Sequence, residues 1–183
     1  SIAAVARHRP TRALLLANLL DMGAFFSVYA YLGTALRAAN GWGPTLAGLT
    51  LACYGVGLAL AAMSGRLIDR RGTRQTARGA LLVLVVVLSG LPWLTGYPWL
   101  MPLGMVLWGF VQGGFFTAIT TLATEQLPSL RGVVTALLSG STYLGVAIYA
   151  PAMALLYGSY GMWAVGLLSA AGCLLAALAL RRL

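Results

Sequence analysis

Long apolar runs alternate with short polar breaks along the whole chain. Six runs stand out: Ala13–Leu36, Pro44–Met63, Gly79–Thr95, Trp99–Thr124, Val133–Tyr157 and Met162–Leu180. A helix needs about 20 apolar residues to cross the hydrocarbon core of a bilayer, and each run is near that length. The breaks are Asn40-Gly41-Trp42-Gly43-Pro44, the arginine-rich stretch 66–78, Gly96-Tyr97-Pro98, Pro128 to Gly132, and Gly158 to Gly161. Gly and Pro in such breaks stop helices and make turns. The pattern predicts an all-α membrane protein with six transmembrane helices. The transmembrane domain covers residues 13–180, with residues 1–12 as a lead-in and residues 181–183 as the C-terminus. Six spans divide into two sets of three. Because three is odd, the second set runs opposite to the first, as a 3+3 inverted repeat requires.

Composition sharpens this picture. Of the 183 residues, 60% are hydrophobic and 8% charged, against about 25% charged in a soluble domain. Too few ionisable groups remain to coat a soluble fold, and a disordered chain would be poorer in apolar residues. The net charge of +9 is the balance of 12 basic residues, all of them arginine, against 3 acidic ones. They punctuate the apolar runs instead of forming a hydrated patch, so nucleic acid is not an expected partner.

The arginines also set an orientation. Arg7, Arg9 and Arg12 precede the first span, and Arg66, Arg70, Arg71, Arg74 and Arg78 separate the second from the third. Arg131 separates the fourth from the fifth, and Arg181 and Arg182 follow the sixth. All of these fall on one side, and only Arg37 falls on the other. The positive-inside rule places the majority, and with it both termini, in the cytoplasm. Trp42, Tyr97 and Trp99 then lie at outer ends, where interfacial aromatics belong.

The break between the second and third spans reads GRLIDRRGTRQ, from Gly65 to Gln75. Gly65 allows close helix approach at the membrane face. Gly72 permits a turn with positive φ. Asp69 is the sole acid among five arginines. This string resembles the signature loop of the major facilitator superfamily, Gly-x-Leu-x-Asp-Arg-x-Gly-Arg-Arg. Gly65, Leu67, Asp69, Arg70, Gly72 and Arg74 match, and Thr73 stands where the family usually has a basic residue. Glu125, Pro128, Arg131 and Gly132 resemble the family's other cytoplasmic charge element. The resemblance implies that Gly65, Asp69, Arg70, Gly72, Arg74, Glu125 and Arg131 form a cytoplasmic gating motif that latches helix ends in the outward-facing state.

The likeness extends over residues 12 to 180. DMGAFFSVYAYLGT, from Asp21 to Thr34, resembles the seventh helix of drug and sugar efflux members. In the fifth span Ala150-Pro151 replaces Gly-Pro, and the glycine pair of an antiporter's fifth helix is absent, which favours the eleventh helix. The chain thus resembles the C-terminal half of a twelve-helix transporter, with residues 1–12 ending a central cytoplasmic loop. The resemblance implies alternating access with proton-coupled efflux of small amphipathic compounds or sugars. It implies as partners an N-terminal six-helix half of the same protein, a small-molecule substrate, protons and the lipid bilayer. A bacterial inner membrane is the expected location. The alternative is a self-standing six-span protein that oligomerises as a channel or an assembly scaffold.

Polarity marks some spans more than others. The third and sixth are nearly featureless, the sixth offering only Ser169 and Cys173. The first, fourth and fifth carry polar residues, and the second contributes Tyr54. Asp21 is the only acid inside a span. It lies nine residues beyond Arg12, about 13 Å into the membrane, where an acid costs about 2.5–3.5 kcal/mol on insertion scales. Asn18 and Phe25 are one turn to either side. Asp21 fits two readings: a proton-coupling or cation-binding acid, or a structural acid hydrogen-bonded to Asn18 or a neighbouring helix. Gln112, mid-span in GFVQGGFF, binds substrate or bridges helices. The candidate substrate and proton pathway is Asp21, Asn18, Phe25, Tyr54, Gln112 and Tyr143.

Other chemistry finds no motif. His8 is the only histidine and lies outside the spans. There is no His-Glu-x-x-His, Gly-x-Ser-x-Gly or Walker loop. Gly55-Val56-Gly57 lacks the third glycine of a dinucleotide fingerprint, because residue 60 is Leu. Cys53 and Cys173 share no ligand spacing and read as small apolar residues. No catalytic residue, metal or cofactor is expected.

Overall fold

The computed structural model describes residues 2–65 and 72–182. Asp69 and Arg70 of the signature loop lie outside the described residues. A short helix α1 (Ile2–Arg7) leads into α2 (Arg9–Asn40), α3 (Pro44–Met63), α4 (Thr73–Leu94), α5 (Met101–Gln126), α6 (Arg131–Tyr160) and α7 (Met162–Ala179). Single 3₁₀ turns follow α5 (Pro128–Leu130) and α7 (Leu180–Arg182). The helices α2 to α7 coincide with the six predicted spans and are long and apolar enough to cross a membrane.

Helix ends follow local chemistry. Proline opens α2, α3 and α5 in their first turns, where its missing N–H would have no partner in any case. Gly41, at φ 63°, closes α2 with a left-handed cap. Gly72, at φ 81°, turns the chain into α4. From there α4 begins at Thr73, six residues before the apolar run, because nothing between Thr73 and Arg78 breaks a helix. At 32 and 30 residues, α2 and α6 exceed what a hydrocarbon core of about 30 Å requires, so they tilt or project from it.

The packing obeys one exchange. The extensive pairs are α3 with α5, α2 with α6, α2 with α7, α4 with α5, and α4 with α7. Swapping α2 with α5, α3 with α6 and α4 with α7 returns the same set. That is the contact signature of an inverted repeat, in which the second three helices reproduce the packing of the first three.

Glycines set the two closest crossings, and they too are exchanged. In one, Gly57 of α3 meets Gly109 of α5, and a Cβ on Gly57 would stand 2.6 Å from the Phe110 nitrogen. In the other, Gly23 of α2 meets Gly145 of α6, and a Cβ on Gly23 would stand 3.0 Å from the Gly145 carbonyl oxygen. Lipid tails are as apolar as Leu, so helices gain little by hiding leucines from them. Close backbone packing and interhelical hydrogen bonds drive association instead.

The helix ends meet as six alternating spans require. Arg74 at the start of α4 donates to the Arg181 carbonyl after α7, at 3.2 Å. Asn40 at the end of α2 donates to the Thr95 carbonyl after α4, at 2.9 Å. The first pair joins two predicted cytoplasmic ends and the second two predicted outer ends. Trp93, Tyr97, Trp99, Tyr160 and Trp163 are exposed at the predicted outer ends, the level of an interfacial aromatic belt. The least buried spans are α3 and α6, a pair related by the same exchange.

Candidate functional site

The interior polar residues converge where α2, α5 and α7 meet. Asp21 of α2 is fully buried. Its Oδ2 accepts a hydrogen bond from Gln112 Nε2 of α5 at 2.5 Å. Its Oδ1 faces the Cys173 thiol of α7 at 3.6 Å. Gln112 Oε1 in turn accepts from the indole Nε1 of Trp108, one turn back on α5, at 3.3 Å. Among the described residues the carboxyl's hydrogen-bond donors are thus uncharged.

Glycine contacts lie beside each of these groups. Asp21 lies two residues from Gly23, and Gln112 three from Gly109, so both sit near the crossing point of their helix. Gly172 lets α7 in: a Cβ there would run into the Tyr149 hydroxyl and stand 3.6 Å from the Leu20 carbonyl oxygen. Its neighbour Cys173 is carried against Asp21 by that approach.

An aromatic cluster closes the predicted outer side of the pair. Phe25 and Tyr29 lie one and two turns outward from Asp21 on α2, and Tyr54 and Trp108 face them from α3 and α5. The ring centroids of these four residues lie 5.2–6.0 Å apart in all six pairings. Edge and tilted contacts of this kind add about 0.5–1.5 kcal/mol per pair beyond simple burial. Trp108 is fully buried and Tyr54 nearly so.

Asn18 does something else. Its Nδ2 donates to the Leu138 carbonyl at 3.1 Å, Ser141 Oγ at 2.9 Å and Thr142 Oγ1 at 3.0 Å, all on α6. It bolts α2 to α6 one turn below Asp21, and the Asp21 donors are Gln112 and Cys173 rather than Asn18. Several other polar positions of the spans are satisfied by their own helix. Ser27, Thr50, Thr117 and Thr120 each donate to the carbonyl four residues back, the usual bond of a hydroxyl within a helix.

Of the six pathway candidates, the structure brings together Asp21, Gln112, Phe25 and Tyr54, with Asn18 a turn away. Tyr143 stands apart, 73% exposed. Of the gating candidates, Gly65, Gly72 and Arg74 are the described members of the signature loop, and Glu125 and Arg131 are exposed at the same end of the bundle. The sequence reading missed Trp108 and Cys173. Trp108 carried a signal, since it sits four residues before Gln112, one turn on the same face. The sixth span, nearly featureless in sequence, nonetheless buries Ser169 and Cys173 fully against α2.

A six-helix membrane bundle with an inverted packing pattern and a buried carboxyl at its centre defines the class of protein. The Major Facilitator Superfamily family model matches residues 14–183. The chain belongs to the major facilitator superfamily. It is 32% identical over 151 residues to the uncharacterized MFS-type transporter YwfA of Bacillus subtilis (strain 168), covering 82% of this chain and 37% of that protein. It is 25% identical over 138 residues to the inner membrane transport protein YdhP of Escherichia coli (strain K12), covering 75% of this chain and 36% of that one. The chain therefore spans a little over a third of the length of these curated relatives. No solved structure gives a significant match.

Proposed function

We infer that the chain forms the C-terminal six-helix half of a proton-coupled secondary transporter, with Asp21 as the group that takes and releases the coupling proton. Family membership and the names of the relatives support a transporter. The observation that carries the coupling role is an acid fully buried at mid-membrane with only uncharged hydrogen-bond partners. An ionisable group in that setting is costly and is kept where it binds or relays an ion. Efflux of small amphipathic compounds or sugars is the mode we assign, following the resemblance of the first span. Residues 13–180 are the transmembrane domain, between a cytoplasmic lead-in and a cytoplasmic C-terminus. The exposed faces of α3 and α6 are assigned to the N-terminal half, which would rock against this one to alternate access. The test is gradient-driven transport by the intact protein in proteoliposomes, wild type against Asp21→Asn.

The orientation we assign, with both termini in the cytoplasm of a bacterial cell, has its own check. Single cysteines at Gln75 and Ser129 are expected to react with an impermeant thiol reagent from the cytoplasmic side alone. Cysteines at Thr45 and Ser159 are expected to react from the outside alone. Cys53 is replaced by Ala for this experiment, and the fully buried Cys173 stays. A swap between the two groups breaks the topology.

The cytoplasmic latch is assigned to Asp69 among its arginines, with Glu125 and Arg131 on the same membrane face. Breaking a pair leaves its partner charge uncompensated. Asp69→Asn is therefore expected to lower transport severalfold while insertion is retained, and to raise cysteine labelling of the cavity from the cytoplasm. Wild-type rates and labelling would reduce the loop to a topology signal.

A further inference from the structure

We propose that Trp108 and Gln112 are a positioning pair that dedicates Oδ2 of Asp21 to accepting a hydrogen bond, leaving Oδ1, the oxygen facing Cys173, to carry the exchangeable proton. This rests on the coupling role given to Asp21 above.

The direction of the chain follows from which groups can donate. An indole Nε1–H is a donor and has no acceptor capacity. The atom of Gln112 that faces Trp108 is therefore the amide oxygen, and the amide nitrogen faces Asp21. The amide cannot turn over without setting N–H against N–H at one end. The indole cannot swing aside either, because Trp108 is fully buried and its ring packs against Phe25, Tyr29 and Tyr54. A proton on Oδ2 would point at the Gln112 N–H, donor against donor. Oδ1 has no such conflict.

Cys173 suits the other oxygen. A thiol is a weak donor and its sulfur a weak acceptor. With Asp21 ionised, the S–H donates to Oδ1. With Asp21 neutral, Oδ1–H donates to the sulfur. Both states keep a partner with no helix moved. The step itself is one proton passing between Oδ1 and water admitted when the cavity opens, and the electron pair stays on the oxygen as it leaves. The other titratable groups facing Asp21 are Tyr54 from α3, Tyr149 from α6 and Cys173 from α7. Among the described residues none of the groups acting on the carboxyl is a charged side chain.

Infrared titration of the intact transporter tests the assignment, reading the carboxyl band of Asp21 as the difference between wild type and Asp21→Asn. If the proton sits on Oδ1, the carbonyl of the neutral acid is Oδ2, held by Gln112. Gln112→Leu is then expected to raise the C=O stretching frequency and to move the titration midpoint up by about one pH unit, the loss of one hydrogen bond to the anion. Trp108→Phe keeps an aromatic ring and frees the amide, so it is expected to shift the midpoint the same way. The double variant is expected to shift no further than Gln112→Leu, because Trp108 acts through Gln112. A C=O frequency unmoved by Gln112→Leu overturns the assignment, as does a Trp108→Phe effect that persists in the Gln112→Leu background. If Gln112→Leu does not assemble, a midpoint unmoved by Trp108→Phe overturns it. A wild type with no titrating Asp21 band removes the coupling role as well, so the two failures are told apart.

Discussion

Asp21→Asn in the intact protein is expected to reduce proton-driven transport about 10²-fold or more, the range in which a positioned proton-transfer group contributes. The substitution preserves what the fold needs. Asn presents a carbonyl oxygen where Gln112 Nε2 now donates, keeps the size of the side chain, and removes only the exchangeable proton. Substrate binding and substrate–substrate exchange without a gradient are therefore expected to survive in part. The measurement is uptake into proteoliposomes with and without an imposed pH gradient, beside counterflow in symmetrical buffer. Loss of the gradient response with counterflow retained identifies a coupling acid. Equal loss of both points to a damaged fold. Normal gradient-driven rates place the coupling proton elsewhere and leave Asp21 the structural role, with Gln112 as its partner.

Gly145→Leu is expected to have the largest effect on assembly. A Cβ on Gly145 would run into the Leu19 carbonyl oxygen and stand 3.2 Å from the Gly23 nitrogen. These are backbone atoms of α2, so no rotamer change relieves the clash, and the whole crossing must open. Overpacking in a well-packed core costs about 1–3 kcal/mol, and a crossing fixed by backbone lies at the upper end or beyond it. Opening it would also pull Asn18 from Leu138, Ser141 and Thr142. Gly57→Leu, at the crossing of α3 with α5, is expected to match it, because the exchange of helices makes the two sites equivalent. Gly90→Leu is the control, since a Cβ there meets no atom within 4 Å. Unfolding by a denaturing detergent, followed by helix content and band mobility, ranks the three. A Gly90→Leu as harmful as Gly145→Leu would mean that glycine content, and not these crossings, sets stability.

The apolar runs and their Gly and Pro breaks determined the six spans, because a bilayer demands an unbroken apolar stretch and a helix that satisfies its own backbone. The alternation of six spans determined which ends lie together, and the Arg74–Arg181 and Asn40–Thr95 bonds join such ends. Asp21 was legible as a candidate site because its cost in a bilayer depends on little beyond its position along the span. Its partners were not. The bond to Gln112 links residues 91 positions apart and exists only because the folded bundle brings α2 against α5. Tyr143 shows the same limit from the other side. It stands two residues from Gly145, about 200° around the helix from the face that meets α2, and its own polarity could not reveal that rotation. Cys173 lay within a readable stripe of small residues, Ser169, Gly172, Cys173, Ala176 and Ala177, all buried at helical spacing. The stripe marks a face that packs, whereas the carboxyl it packs against was decided by the tertiary structure. Spacing along one helix fixes which residues share a face, but only the contact between helices fixes what that face meets.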